Sequence, residues 1–284
     1  MKIKIIKAKE LGFCYGVFRA INMLEKAAKQ YGSLETLGPV VHNEQVIKKM
    51  DKMGIHVIKN IGDITRPVVA ISSHGISSVE NELLRSKCLK VVDTTCPFVS
   101  RAQIGARRLV EAGFFVIVFG EAGHPEVKGI MGYAKNQGLA TLDSADISKL
   151  KTLPRRIGIL SQTTQIPEHF VAFVKNILDS GLQRDFEIRI LDTICHDIRK
   201  RQLLSKELAG KVDLMLVIGG KSSANTRRLL ELCSTNIETH MIETAVEIDP
   251  IWLQGKNTIG ITSGTSTADS SIKEVIERLE ALSL

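Results

Sequence analysis

A spacing that occurs three times constrains this chain more than any other feature of its 284 residues. A glycine follows a cysteine by 24 positions in the pairs Cys14 and Gly38, Cys96 and Gly120, and Cys195 and Gly219. A polar residue stands four positions after each glycine, and these residues are His42, His124 and Ser223. Three matches in one register indicate that the chain contains three copies of one supersecondary unit.

The segments between these marked positions predict the same pair of elements in each copy. Apolar residues recur at helical spacing after the first cysteine, at Val17, Ile21, Leu24 and Ala28. The continuous apolar runs at 114–120 and 214–220 are typical of strands buried on both faces of a parallel sheet. Helices alternate with these strands, so we predict three small α/β modules with mainly parallel sheets around a pseudo-threefold axis.

The cysteines also suggest where each module begins and ends. The first α/β module is predicted over 14–96, the second over 97–194 and the third over 195–284. The strand before each cysteine belongs to a sheet, so the N-terminal strand within 1–13 is expected to pack on the third module.

The three repeated cysteines each follow a strand and open a helix. A helix N-terminus favours the thiolate, so Cys14, Cys96 and Cys195 are candidate ligands of a soft metal or an iron–sulfur cluster at the centre. Three ligands would leave one coordination position open to a substrate. The alternatives are a zinc enzyme with three cysteine ligands, and three buried structural cysteines. Cys88 and Cys233 fall outside the repeat and are interpreted as structural.

Polar residues gather where predicted strands end. His42, His74 and His124 each follow such a strand, and "GGKSSANT" (219–226) and "SGTST" (263–267) add hydroxyls and exposed N–H groups. Such loops, followed by helices, are suited to phosphate. Each cluster alone is equally compatible with an ordinary loop, and Lys221 either adds charge or points to solvent. Together they predict a pocket for a small anion.

One carboxylate lies within this set of residues. Glu126 can carry a proton to a substrate in a closed polar cavity, and Thr163 in "SQTT" can orient a water or relay that proton. The alternative is that the hydroxyl simply caps the end of a strand.

Composition excludes several classes. No apolar run is long enough to span a bilayer, and the first residues lack a signal peptide's apolar core, so we predict a cytoplasmic protein. A net charge of +7 favours an anionic partner, but a basic RNA-binding surface needs aromatics, and the chain has one Trp and three Tyr. We therefore expect no nucleic-acid partner and no membrane contact. Neither a G-x-G-x-x-G sequence nor a Walker A loop occurs.

The motifs, in their order along the chain, resemble the 4-hydroxy-3-methylbut-2-enyl diphosphate reductases, the IspH or LytB family. The resemblance covers about 10–272 and is carried by "GFCYGV", "VVHN", "SSHG", "DTTCP", "GHPEVKGIMG", "SQTT", "DTIC", "RQ", "GGKSSANT" and "SGTST". It implies a trefoil of three α/β modules that holds a 4Fe–4S cluster through three cysteines, with one open iron for the allylic hydroxyl of the substrate.

The resemblance also implies roles for individual residues. Cys14, Cys96 and Cys195 would hold the cluster, while Glu126 and Thr163 would supply and relay the proton, with His124 in the same network. The expected substrate-binding residues are His42, His74, His124, Thr163, Ser223, Ala224, Asn225 and Ser266. Ala224 stands where family members often have a second serine. After Cys195 the sequence "HDIRKRQ" also departs from the family pattern.

The activity that the resemblance implies is the last step of the methylerythritol phosphate route to isoprenoids. The diphosphate substrate would be reductively dehydroxylated to isopentenyl and dimethylallyl diphosphate. Electrons would come from a ferredoxin or flavodoxin, and the chain is expected to be a monomer.

Overall fold

A computed structural model describes residues 3–87, 90–150, 154–181 and 185–282, so Cys88 lies outside the described residues. Within these ranges, twelve strands alternate with ten α-helices. The strands are β1 (Lys4–Lys7), β2 (Leu34–Leu37), β3 (Ile55–Ile58), β4 (Val68–Ile71), β5 (Lys90–Asp93), β6 (Phe115–Phe119), β7 (Gly138–Thr141), β8 (Arg156–Ser161), β9 (Glu187–Leu191), β10 (Leu214–Ile218), β11 (Thr239–Ile242) and β12 (Thr258–Ser263). The helices are α1 (Tyr15–Tyr31), α2 (Glu44–Lys52), α3 (Ser78–Ser86), α4 (Pro97–Glu111), α5 (Pro125–Tyr133), α6 (Ala145–Ser148), α7 (Pro167–Gly181), α8 (His196–Ala209), α9 (Ala224–Ser234) and α10 (Asp269–Leu282).

The chain divides into two compact units. The first unit contains 1–18, 41–52 and 196–284, and the second contains 19–40 and 53–195.

The first unit is built on one four-stranded sheet in the order β1-β12-β10-β11, with all neighbours parallel. The N-terminal strand β1 pairs with β12, in the register Lys4 opposite Thr258. Strand β10 lies inside the sheet, and all five of its residues are buried. Its apolar run needs cover on both faces, and residues of α10 such as Val275 and Leu279 pack against it in one core.

The second unit contains two further four-stranded sheets. Their orders are β3-β2-β4-β5 and β7-β6-β8-β9, and every neighbouring pair is parallel. Helix α4 packs on the second sheet, where a Cβ at Gly158 of β8 would lie 2.7 Å from Leu109 of α4. A glycine in this strand therefore lets the helix approach the sheet closely.

The predicted fold class of three α/β modules with parallel sheets is confirmed. Each sheet has four strands joined through helices, and the buried runs at 114–120 and 214–220 become β6 and β10. Each of these strands is followed at once by the glycine of the repeat, Gly120 or Gly219, and β2 is followed in the same way by Gly38.

Among the helices in the described ranges, none combines the length and apolar character required to cross a membrane.

Candidate active site

The backbone N–H groups of the three repeated cysteines all make the same kind of hydrogen bond. The N–H of Cys96 donates to the carbonyl of Ser73 (3.0 Å), and the N–H of Cys195 donates to the carbonyl of Thr163 (2.9 Å). In the first unit the N–H of Cys14 donates in the same way to the carbonyl of Thr265 (3.2 Å). Each acceptor lies in the polar loop after a strand. The repeat seen in the spacing is thus also a repeat of hydrogen bonds.

The shared Asp-Thr-x-Cys sequence explains part of this geometry. The Asp93 carboxylate accepts from the N–H of Thr95 (2.9 Å), and Asp192 accepts from the N–H of Ile194 (3.2 Å). The hydroxyls of Thr94 and Thr193 donate to carbonyls of the neighbouring strands β4 and β8, at Ile71 and Ser161. These turns end the strands and set each cysteine directly before a helix.

The environment of Cys14 differs from the one predicted. Burial raises the pKa of this thiol, against the lowering effects of the Val17 N–H and the Arg201 guanidinium. For Cys14, desolvation of the charge therefore opposes the lowering of the thiol pKa that the helix N-terminus was expected to produce. A thiophilic metal would displace this proton on binding.

The set of donors fits an iron–sulfur cluster. Cys14, Cys96 and Cys195 form no disulfide bonds, and each is held at the start of a helix by the same kind of backbone hydrogen bond. Thiolate sulfur is the ligand that such clusters require.

Helix α5 begins in the "GHPE" sequence. His124 is the N-cap residue, and its Nδ1 accepts a hydrogen bond from the N–H of Glu126 at 3.2 Å. Pro125 occupies the first turn, where its missing N–H costs nothing. Sequence reasoning placed Glu126 at the end of a strand, but the structure places it in the first turn of a helix. Because the helix fixes its backbone, the direction of this side chain is well determined.

Glu126 is 2% exposed and is bound by Thr163 through two hydrogen bonds. The Thr163 N–H donates to Oε1 at 2.6 Å, and the Thr163 hydroxyl donates to Oε2 at 3.0 Å. The two predicted proton-transfer residues are therefore in direct contact. The same threonine accepts the N–H of Cys195 through its carbonyl, so one residue joins the carboxylate to a candidate cluster ligand.

Two of the predicted pocket histidines are also neighbours in this unit. The rings of His74 and His124 lie 5.6 Å apart between centroids, with an interplanar angle of 80°. Since Nδ1 of His124 is occupied as an acceptor, a neutral His124 carries its proton on Nε2.

In the first unit, "GGKSSANT" forms the start of α9. Ser223 is the N-cap and accepts from the N–H of Thr226, and Ala224 and Asn225 form the first turn. A Cβ at Gly220 would lie 2.3 Å from the carbonyl oxygen of His42, so a glycine is needed for this approach. The structure thereby brings His42 close to the loop that carries the predicted phosphate-binding residues.

Several buried side chains in this unit have polar atoms without a hydrogen-bond partner among the described residues, and two of these side chains belong to the predicted substrate-binding set. Neither polar atom of the Asn225 amide makes a hydrogen bond within the described residues, and the same is true of the Ser266 hydroxyl. Asn225 is 2% exposed and Ser266 is 5% exposed. Buried polar groups are normally paired, and a diphosphate offers the acceptors that these donors need. The residues present therefore fit a bound anion.

The polar residue that stands four positions after each glycine of the repeat does not have the same structural role in all three copies. His124 and Ser223 are both N-cap residues, of α5 and α9. In the first copy the side chain of Asn43 caps the helix instead, accepting from the N–H of Val46 (3.2 Å), and His42 precedes it by one residue.

Other residues take structural roles. Lys221 forms an ion pair with Glu247 (2.6 Å), so its charge is already matched. Cys233 is fully buried, and burial raises the pKa of its thiol to about 12. The prediction that Cys233 is structural agrees with this environment.

Sequence reasoning assigned no role to Arg201, although it is only 2% exposed. Its guanidinium donates to the carbonyl of Ser263 (2.9 Å) and to the carbonyl of Gly12 (3.0 Å), two residues before Cys14. The available signal is its position on α8, where Ile198, Ser205 and Leu208 share the buried face. A charged side chain on a buried helix face is rarely found without a hydrogen-bonding or oppositely charged partner.

Comparison with known proteins covers nearly the whole chain. The family model described as LytB protein matches residues 5–280. A protein of Dehalococcoides mccartyi named 4-hydroxy-3-methylbut-2-enyl diphosphate reductase is 56% identical over 99% of both chains. A protein of Geobacter metallireducens with the same name is 43% identical over 99% of this chain and 98% of its own.

Two solved structures are similar as well. One, described as (E)-4-hydroxy-3-methyl-but-2-enyl diphosphate reductase, the terminal enzyme of the non-mevalonate pathway, has 37% identity, covers 98% of this chain and 99% of its own, and superimposes with a TM-score of 0.71. The other, the E-1-hydroxy-2-methyl-but-2-enyl-4-diphosphate reductase of Plasmodium falciparum, has 26% identity, covers 98% and 88%, and has a TM-score of 0.90. Family model, relatives and solved structures agree over almost the full length, and the chain belongs to the LytB protein family.

Proposed function

We propose that this chain is an iron–sulfur oxidoreductase that removes the hydroxyl group of 4-hydroxy-3-methylbut-2-enyl diphosphate. The balanced reaction is R–OH + 2 e⁻ + 2 H⁺ → R–H + H₂O. One proton leaves with the hydroxyl as water, and the other adds to either end of the allyl group, which yields isopentenyl or dimethylallyl diphosphate. The named relatives are reductases of this substrate, which favours this function over a zinc enzyme with three cysteine ligands.

The observation that carries the proposal is the buried pair formed by Glu126 and Thr163. A carboxylate that is 2% exposed, with both oxygens held by one threonine, is positioned to hold and deliver a proton in a site closed to water. Positioned acids of this kind contribute roughly 10²- to 10⁴-fold to a rate. Glu126 is proposed as the proton source, Thr163 as its positioning and relay residue, and His124 as a third member of the network.

The diphosphate is assigned to the polar residues at the ends of strands and the starts of helices. Asn225 and Ser266 bring buried donors that lack protein partners, and helix α9 directs its N-terminal N–H groups toward an anion at its start. Ala224 contributes its backbone N–H but no hydroxyl. The complete proposed set is His42, His74, His124, Thr163, Ser223, Ala224, Asn225 and Ser266. Binding energy at the diphosphate end is available to orient the reacting carbon.

Cys14, Cys96 and Cys195 are proposed as the ligands of a 4Fe–4S cluster. Support comes from the absence of disulfide bonds at these three cysteines, the equivalent hydrogen bonds of their backbone N–H groups and their place in the repeat. When bound, this cluster supplies electrons singly and a Lewis-acidic iron for the leaving hydroxyl. The turns that carry the three cysteines keep their sulfurs at the starts of helices. The rigid helix backbone resists small shifts of these ligands.

The proposed partner is a ferredoxin or flavodoxin that delivers two electrons per turnover, one at a time. A cytoplasmic location is proposed because cysteine ligands must stay reduced, and this compartment keeps thiols reduced. The chain is proposed to act as a monomer, which light scattering coupled to size-exclusion chromatography would test.

The test is anaerobic purification followed by iron and sulfide quantitation and a turnover assay. Reduced methyl viologen serves as the electron donor, and its oxidation should depend on the diphosphate substrate. About four irons per chain and formation of both diphosphate products are expected.

Two results would count against the proposal. One is a colourless protein that takes up no iron after anaerobic reconstitution, and stoichiometric zinc in its place would favour the zinc alternative. The other is a protein that holds its full iron content and yet oxidises no viologen when substrate is added.

A further inference from the structure

An open groove lies in the second unit between the edges of its two sheets. Strand β5 is the edge of one sheet and strand β9 is the edge of the other, and α4 forms the floor. The volume is about 1130 Å³. A Cβ at Gly105 of α4 would lie 3.1 Å from Leu191 of β9, so helix and strand lie close together at this point.

The groove is rich in arginine. Four arginines and two aspartates line it, and these are Arg19, Arg101, Arg108, Arg189, Asp93 and Asp192. Both carboxylates accept N–H groups of their own turns, those of Thr95 and Ile194. Arg189 also pairs with Glu187 (3.1 Å), but four arginines against two aspartates still leave positive charge in excess. On α4 this charge is presented by exposed side chains at 101 and 108, two turns apart on one helix face.

Apolar side chains lie among these charges. Ile104 of α4 is 38% exposed and Ile190 of β9 is 46% exposed, and both line the groove. An exposed apolar centre with arginines around it is the composition of a protein-binding surface. A small-molecule site would be more enclosed and would bury its polar groups.

The groove reaches the segments that carry two candidate cluster ligands. Thr95 and Pro97, which flank Cys96 in the chain, both line it. Thr193 also lines it and lies two residues before Cys195. Neighbouring Cα atoms are about 3.8 Å apart, and a two-residue step spans at most about 7 Å. A partner seated here would approach both cysteines closely.

We propose that this groove is the docking site of the electron donor, and that the donor is a small acidic ferredoxin. The inference rests on the proposed function, since it assigns a surface to the partner that the reduction requires. Each reduced ferredoxin gives up one electron and leaves oxidised, so two encounters supply one turnover. Charge complementarity favours an acidic partner, and encounters between redox proteins are small, weak and sensitive to salt.

Charge reversal at Arg108 tests the site. Arg108→Glu places a negative charge in the groove, and Lys175→Glu makes the same change of charge at an exposed residue of α7 in the same unit that does not line the groove. Arg108→Glu should raise the KM for reduced ferredoxin about 10-fold, equal to about 1.4 kcal/mol. The Kd for oxidised ferredoxin, measured by calorimetry on the cluster-loaded protein without substrate, should rise by the same factor. The Lys175→Glu values should stay within about twofold of the wild-type values.

Methyl viologen separates the docking proposal from the proposed function. Small donors need no docking surface, so Arg108→Glu should keep wild-type activity with reduced viologen, which also shows that the variant folds and holds its cluster. Equal ferredoxin KM and Kd values for Arg108→Glu and Lys175→Glu would overturn the docking site. Loss of viologen activity in the wild-type protein would instead overturn the proposed function, and the calorimetric comparison would still decide whether ferredoxin binds this groove.

Discussion

Three local features fix the position and the surroundings of the Glu126 carboxyl group. Its N–H caps onto His124, its two carboxylate oxygens accept from Thr163, and burial excludes water. The first bond fixes the tautomer of His124, whose remaining proton sits on Nε2. Because Thr163 donates to both oxygens, the carboxyl group cannot rotate without losing a charge-assisted hydrogen bond. The carboxyl group is thus held in one orientation, as the proton delivery proposed for Glu126 requires.

Replacing Glu126 with glutamine should separate binding from chemistry. The amide keeps the size and can still accept from Thr163, but it has no acidic proton to give. We expect kcat to fall by at least about 100-fold with little change in iron content or substrate affinity. Turnover with reduced viologen, iron quantitation and substrate binding would be measured together.

The control is Glu168→Gln, which removes the same charge from the first turn of α7 at an exposed position. That variant should behave as the wild type. If Glu126→Gln retained near-normal kcat, the proton would have to come from another group.

At the scale of secondary-structure elements, the N-terminal ends of helices position several residues of the proposed site. Helices α4, α5 and α9 each begin directly after a residue of the proposed site, which is Cys96, His124 or Ser223. A helix start presents unpaired N–H groups and a fixed backbone, so it is suited both to anions and to rigid ligands. Gly120 and Gly219 directly follow the strands before α5 and α9, whereas the turn from β5 into α4 contains Thr94 and Thr95 and no glycine.

Gly220 gives the clearest case for a test. Gly220→Ala would place a methyl group 2.3 Å from the His42 carbonyl oxygen, and backbone must move to accommodate it. A shift of the loop by about 1 Å should raise the KM for the diphosphate substrate roughly 10-fold or more, since misplacement on this scale is costly. Steady-state kinetics with reduced viologen would measure this effect.

Gly210→Ala is the matched control, because its added methyl would meet only the Glu207 carbonyl, at 3.8 Å. It should leave KM unchanged. Similar KM values for the two variants would contradict the role given to the Gly220 contact.

Arg201 joins α8 to the turn before Cys14. It donates to carbonyls of Ser263 and Gly12, and Gly12 donates its own N–H to the Ser263 hydroxyl (2.9 Å). Arg201→Lys keeps the charge but loses the planar fork that reaches both carbonyls. Lost hydrogen bonds to a charged group cost about 1.5–3 kcal/mol each. We expect faster cluster loss to a chelator and a lower iron content, with Lys206→Gln, exposed on the same helix, as the control.

Retention of iron by Arg201→Lys at the level of Lys206→Gln would show that the turn before Cys14 holds its position without this clamp.

For the molecule as a whole, the periodicity of the sequence predicted the helices and strands well. It did not predict which residues that are distant in the sequence contact each other. The cysteine-to-glycine spacing located β2, β6 and β10, because a buried strand and its terminal glycine leave a local mark. Glu126 and Thr163 are 37 positions apart in the sequence, and no local sequence pattern predicts that they are in contact. Both residues were separate candidates because they belong to the polar sets near predicted strand ends, and the family resemblance implied the same roles. Arg201 was overlooked because its partners are backbone carbonyls, which carry no sequence signal.

Glu35 of β2 is another buried charge without a local signal. It is 4% exposed, and it accepts from the N–H and hydroxyl of Thr65 and from the N–H of Arg66. Burial alone would raise the pKa of this carboxyl, but the Thr65 and Arg66 hydrogen bonds hold it below its ordinary value. A carboxyl group with a lowered pKa in the folded state stabilises the fold when it is ionised.

Glu35→Gln should therefore destabilise the protein in a pH-dependent manner. Unfolded glutamate titrates near about pH 4.3, so the stabilisation is complete above that value and is lost as pH falls through the lower folded pKa. We expect a deficit of about 1–3 kcal/mol at pH 7 in urea unfolding, which narrows toward pH 3. Glu82→Gln on the exposed side of α3 should show almost no deficit at either pH. A Glu35→Gln deficit that stays constant from pH 7 to pH 3 would mean that packing rather than the carboxylate's charge stabilises this part of the fold.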